Sequence, residues 1–297
     1  MTRYDISKVA PQGGYVAKQC PVRAQNDVLV PCVPIPAPPE LQRRFDRGND
    51  FEEAVVREIL RLHGAAWIAE GDTREARVAS TLEGVAKRAP VILGGRLPTD
   101  LVGRRVGKPD LLVLGIDGTY RPVDVKHHMT LESAVAGRNG LRALVASLDG
   151  LGLEVAEVDE ARWTRKREED ALQLAHYQRM LETAGLAASE GRWGGIIGVE
   201  GVVVWYDLDA PIWRTPSSSG RQKLRSTMER YDFEFEFRLD VIAVAEMSGT
   251  DPSVELLVVP VRIGECWGDR PSARRACARW RAGVVAGLGG AAGRSRA

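Results

Sequence analysis

An excess of charge of either sign is almost absent from this 297-residue chain: 41 Lys and Arg stand against 40 Asp and Glu, a net +1. No global field draws it onto nucleic acid, so any such contact must come from local basic patches. No run of eighteen apolar residues occurs, which argues against a membrane span. The start, "MTRYDISKVAPQGG", lacks the basic and apolar regions of a signal peptide, and a cytoplasmic protein is expected. Four cysteines in a chain of this length make no disulfide scaffold. There is no internal repeat and no G-x-x-x-x-G-K-[ST], so no built-in nucleotide-driven motor is expected. What the chain does hold is apolar residues, at 44 %, enough for a sizeable core.

The organisation predicted is mixed α/β without a regular βαβ alternation. Residues 1–40, with the Pro-rich "PCVPIPAPPE" and Cys20, read as irregular. Residues 41–285 read as one domain and 286–297 as a disordered tail. Within the domain, a helix is expected over about 40–63, where Phe45, Val55, Val56, Ile59 and Leu60 recur at helical spacing and Gly64 stops it. "PVILGGRL" reads as a strand, 129–160 as helix then strand, and about 160–185 as a second long helix. "GGIIGVEGVVVWYDL" reads as strands and "RTPSSSGRQK" as a polar loop. "RYDFEFEFRLDVIAVA" begins as a strand or an amphipathic helix, and "VELLVVPVRI" reads as a buried strand.

The segment "GKPDLLVLGIDGTYRPVDVKHH", 107–128, places Asp110, Asp124 and Lys126 in an apolar hairpin whose turn is Asp117–Gly118. Strand interiors usually reject such charges. A three-residue loop sets Asp110 opposite Asp124; a two-residue loop shifts it by one. Asp124 and Lys126 share a face, and Val125 points away. Two carboxylates about 4 Å apart repel by on the order of 4 kcal/mol at an effective dielectric near 20. A magnesium or manganese ion removes that cost, and the lysine can orient water or stabilise charge growing on a phosphate. The competing reading is a surface hairpin with an Asp–Lys ion pair. Upstream, Glu52 lies seven residues from both Phe45 and Ile59, inside the apolar stripe, where an acid needs a partner or a metal; Glu53 is the alternative.

"PD", a gap and then "DVK" resemble the PD-(D/E)XK nuclease signature, at Asp110, Asp124 and Lys126. Two further matches point to its RecB-like branch. "QLAHY" supplies the Q-x-x-x-Y pair as Gln173 and Tyr177, and "GNDFE" supplies the upstream G-x-x-x-E as Gly48 and Glu52. The three matches occur in the family's order and span 48–177. The resemblance implies a restriction-endonuclease-like core, a mixed sheet flanked by helices, and hydrolysis of DNA phosphodiester bonds. It implies an exonuclease of DNA repair or recombination that acts on single strands or free ends, with a helicase as a conceivable partner. Glu52, Asp110, Asp124 and the Val125 carbonyl would hold Mg2+ or Mn2+. Lys126 would position or activate water, and Gln173 and Tyr177 would orient the lysine or a phosphate. A non-catalytic nucleic-acid-binding module that kept the fold is the alternative, against which the intact polar positions speak.

Some RecB-like nucleases, of the AddB and CRISPR-adaptation type, tie their ends together with a [4Fe–4S] cluster. Cys20 before Pro21, and Cys266 and Cys277, resemble that arrangement. Asp269 stands where a further cysteine is usual, and Cys32 is the weak fourth candidate. A cluster, a zinc site and plain buried thiols all remain open. Arg165, Lys166, Arg167, Arg221 and Lys223 are the candidate phosphate contacts. His127 and His128 follow the lysine directly, and a supporting role beside the metal site is expected of His128.

Overall fold

The computed structural model describes residues 4–29, 36–135, 140–187, 191–216, 221–251 and 253–258. The chain divides into two compact units, one of residues 10–17 and 35–233 and one of residues 1–9, 18–34 and 234–297. Among the described residues no helix is long and apolar enough to cross a membrane.

The larger unit is built on a nine-stranded mixed sheet. Its strands are β1 (Trp67–Ile68), β2 (Val91–Leu93), β3 (Leu111–Leu114), β4 (Tyr120–Val125), β5 (Leu131–Ser133), β6 (Arg142–Ser147), β7 (Glu157–Thr164), β8 (Trp193–Ile197) and β9 (Val202–Asp207), in the spatial order β1-β2-β3-β4-β8-β9-β6-β7-β5. The pairs β1–β2 and β4–β8 are parallel and the remainder antiparallel. A separate two-stranded sheet pairs β10 (Trp213–Pro216) with β11 (Gln222–Arg225).

Alternation along the strands divides the core into two layers. On one face Leu111, Val113, Val123, Val125 and Ile197 pack with Val55 and Ile59 of the helix α3 (Pro39–Leu62). On the other, Leu112, Tyr120 and Ile92 pack with Met180 and Leu181 of α5 (Glu168–Thr183), with Val85 of α4 (Arg74–Ala86) against them. The sheet is thus flanked by helices on both faces. Pro39 opens α3 at a position that needs no N–H. Thr73 caps α4 by accepting the Ala76 N–H. Glu168, Glu169 and Asp170 lie in the first turn of α5, where the helix dipole favours acids.

Several expectations change. Residues 1–40 are not wholly irregular, because α1 (Tyr15–Lys18) and α2 (Pro21–Leu29) lie there; Pro21 opens α2 with its fixed φ. The segment 129–160 forms strands and one 3-10 turn, with no α-helix among its described residues. Residues 157–164 are strand, so α5 begins at Glu168 and is shorter than expected. The polar loop expected at 214–223 falls within the β10–β11 hairpin, of which 217–220 are outside the described residues. The stretch from 231 is helix, in α6 (Thr227–Thr250). Residues 254–258 carry no strand, and the rest of "VELLVVPVRI" lies outside the described residues, as does 286–297.

Candidate active site

The β3–β4 hairpin sets the geometry. Its register pairs Leu111 with Val123 and Leu114 with Tyr120, and the Gly115 N–H donates to the Thr119 carbonyl at 2.8 Å. Residues 116–118 are therefore a three-residue loop, closed by Gly118 at φ +79°, a conformation glycine adopts without strain. One step beyond Leu111↔Val123 the same register brings Asp110 opposite Asp124. The Asp110 carboxylate also accepts the Val125 N–H at 2.8 Å.

Asp124 is 1 % exposed. Lys126 Nζ lies 2.9 Å from its Oδ2, but neither carboxylate oxygen receives a well-angled hydrogen bond among the described residues. The Asp–Lys ion pair of the competing reading is present, but its Asp124 is buried and its Lys126 half-buried. Burial, then the charge of Asp124 and that of Glu52, push the Asp110 carboxyl up to about 8, against the pull of Lys126 and of the Val125 N–H. Burial works to lower the Lys126 pKa, but Asp124, Asp110 and Asp170 outweigh it and hold the ammonium charged.

Glu52 is half-buried on α3, whereas Glu53 is exposed. Phe45 is exposed too, so the apolar stripe of α3 begins nearer Phe51 than expected. Gly48 has open space where a Cβ would stand. From α5, Gln173 donates to the Tyr177 hydroxyl at 2.9 Å, and that hydroxyl donates to the Lys108 carbonyl at 3.1 Å. The pair therefore fixes the segment leading into Asp110. Gly107 permits the approach, since a Cβ there would stand 2.9 Å from the Tyr177 ring. The neighbouring His176 bonds the Val106 carbonyl at 2.9 Å, a second hold on the same segment. Burial, and then Asp124, raise the Tyr177 pKa, so the hydroxyl keeps its proton.

Two contributors escaped sequence reasoning. Asp170, buried in the first turn of α5, lies 3.0 Å from His128 Nε2 and helps hold Lys126 charged. It hides in an acidic helix start, but its spacing to Gln173 and Tyr177, three and seven residues, marks the same helix face. Glu200 accepts the N–H groups of Thr130 and Leu131, each at 2.9 Å, and fixes the chain just beyond the lysine. His127 stacks on Phe51 with ring centroids 5.2 Å apart.

The candidate phosphate contacts divide. Lys166, Arg167, Arg221 and Lys223 are exposed, and half-buried Arg165 approaches Glu132 at 3.9 Å. Cys20 is half-buried, while Cys32, Cys266 and Cys277 lie outside the described residues. Among the described residues no three His, Cys, Asp or Glu side chains gather as a preformed metal cage. The donors nevertheless fit a hard divalent cation. Buried Asp124 offers oxygens without hydrogen bonds, Asp110 faces it, and Glu52 is near enough to act on both Asp110 and Tyr177. Compared with known proteins, the chain matches no family model, no curated protein and no solved structure.

Proposed function

We propose that this protein is a metal-dependent DNA nuclease with a PD-(D/E)XK core of the RecB-like kind. The observation that carries the reading is the hairpin register that sets Asp110 against buried Asp124, with a charged Lys126 on the same strand face. Two facing carboxylates without a cation are an unfavourable arrangement, and fold stability alone gives no reason to keep it.

Glu52, Asp110, Asp124 and the Val125 carbonyl would hold Mg2+ or Mn2+. Bound there, the ion supplies a Lewis acid for the phosphoryl oxygen and lowers the pKa of a bound water. Lys126, held as an ammonium, donates to the attacking water or to charge growing on the phosphate. Gln173 and Tyr177 keep Asp110 in place through the Lys108 carbonyl. Asp170 and His128 brace the turn after Lys126. By its resemblance the action is exonucleolytic, on single strands or free ends, in repair or recombination.

The test is cleavage of end-labelled single- and double-stranded DNA with magnesium, manganese or EDTA. Wild-type protein cuts with either metal and not in EDTA. Asp124→Ala loses cleavage while its thermal melt stays cooperative. Lys126→Ala lowers kcat about a hundredfold or more, with metal affinity changed far less. Full activity of Asp124→Ala, in protein cleared of contaminating nuclease, refutes the mechanism.

A further inference from the structure

The β10–β11 hairpin stands outside the nine-stranded sheet. Two-stranded hairpins alone are marginal in water, but this one is anchored. Trp213 Nε1 donates to Thr227 Oγ1, and Arg225 Nε to the buried Thr215 Oγ1, each at 2.9 Å. From 213 to 225 the sequence holds Arg214, Arg221, Lys223 and Arg225 and no acid. Only Lys223 approaches a carboxylate, Glu229 at 3.9 Å; Arg214, Arg221 and Arg225 have no ion-pair partner among the described residues.

A second basic element borders the same place. Lys166 and Arg167 are exposed, have no carboxylate partner among the described residues, and line a small cleft with Tyr206, Trp213 and Thr227. The acids nearby are largely occupied: Arg230 pairs with Glu168, and Asp207 of the cleft wall accepts the N–H groups of Asp209 and Ala210. Two cations thus line the cleft, and four more lie on the hairpin that begins at its wall residue Trp213, in a chain whose net charge is +1. Arg167 directly precedes α5, whose first turn carries the Asp170 that acts on Lys126.

We infer that the strands β10 and β11, with Arg214, Arg221, Lys223 and Arg225, and the link from β7 to α5 form the surface that grips the DNA phosphate backbone and leads the strand to the hairpin acids. Guanidinium groups match phosphate oxygens two at a time. The inference rests on the nuclease reading only for the identity of the polyanion. The grip needs no metal.

The test is binding of a fluorescent single strand, and of its duplex, to the full chain in EDTA across a salt series. Combined Arg214→Gln, Arg221→Gln and Arg225→Gln weakens binding tenfold or more. It also flattens the slope of log affinity against log salt by about two for the single strand. Lys166→Gln with Arg167→Gln, on a different element, weakens binding as well and decides the matter if the triple variant fails to fold. Arg57→Gln, Arg61→Gln and Lys87→Gln, an equal charge change on α3 and just after α4, alters affinity less than twofold. No DNA binding by the wild type in EDTA, unchanged affinity and slope in the hairpin and link variants, or an equal loss in the control, overturns the inference. Intact, β10–β11-dependent binding by a protein that cuts no DNA refutes the nuclease reading and leaves this one standing.

Discussion

Half-buried Asp110 faces buried Asp124 across the ladder, so the native protein resists ionising Asp110. Burial and the neighbouring charge hold the Asp110 carboxyl near 8, against an ordinary value of 3.8. The folded state therefore keeps a proton that the unfolded chain releases. Its contribution is fully present below about pH 4 and is lost as pH rises through about 8. In EDTA, urea midpoints of the wild type should fall across that window, and those of Asp110→Asn should fall less. Added magnesium should restore the wild type at the alkaline end, because the cation stabilises the ionised pair. Equal pH slopes for the two proteins would show that Asp110 is not the group involved. Asp110, Asp124 and Lys126 were legible in the sequence because the Asp-Gly turn and strand alternation fix which side chains share a face. Asp170 was not, because an acid in the first turn of a helix already has a sufficient local reason to be there.

At the scale of the element, the phase of α3 decides which acid reaches the site. Val55 and Ile59 are buried, and Glu52, three and seven residues before them, falls on the same face, whereas Glu53 is exposed. Glu52→Gln should weaken manganese binding about tenfold or more by calorimetry, and Glu53→Gln should leave it unchanged. The reverse ranking would place α3 in the wrong rotation. Helices with a clear apolar stripe and a proline start, such as α3, could be read from the sequence. The helix α4 could not, because alanine, threonine and glycine blur its stripe and its two fully buried residues are Thr81 and Gly84. The strands within 129–160 were obscured by composition: Gly and Ala favour no strand, and the β6–β7 pairing with its bulge at Arg142/Ala143 depends on partners distant in sequence.

At the scale of the whole molecule, the smaller unit joins segments near the start of the chain to α6, and strand or helix periodicity does not announce that pairing. The Tyr4 N–H donates to Asp240 at 3.2 Å, and Arg238 Nε donates to the Gln19 carbonyl at 3.1 Å, across more than two hundred residues. Cys20 follows Gln19 directly. Arg238 and Asp240 are buried on α6 beside Leu239, Val241 and Ile242, and Arg238 also pairs with Glu234 one turn away. A buried guanidinium that holds a carbonyl and a carboxylate cannot be removed without taking a donor from both. Arg238→Met keeps most of the side-chain volume but supplies no donor, so it should cost about 3 kcal/mol in urea denaturation. The hairpin acids belong to the other unit, so DNA cleavage by the variant well below its melting temperature should keep the wild-type kcat. A variant as stable as the wild type would mean that the Arg238 contacts contribute nothing to joining α6 to the segment at Gln19.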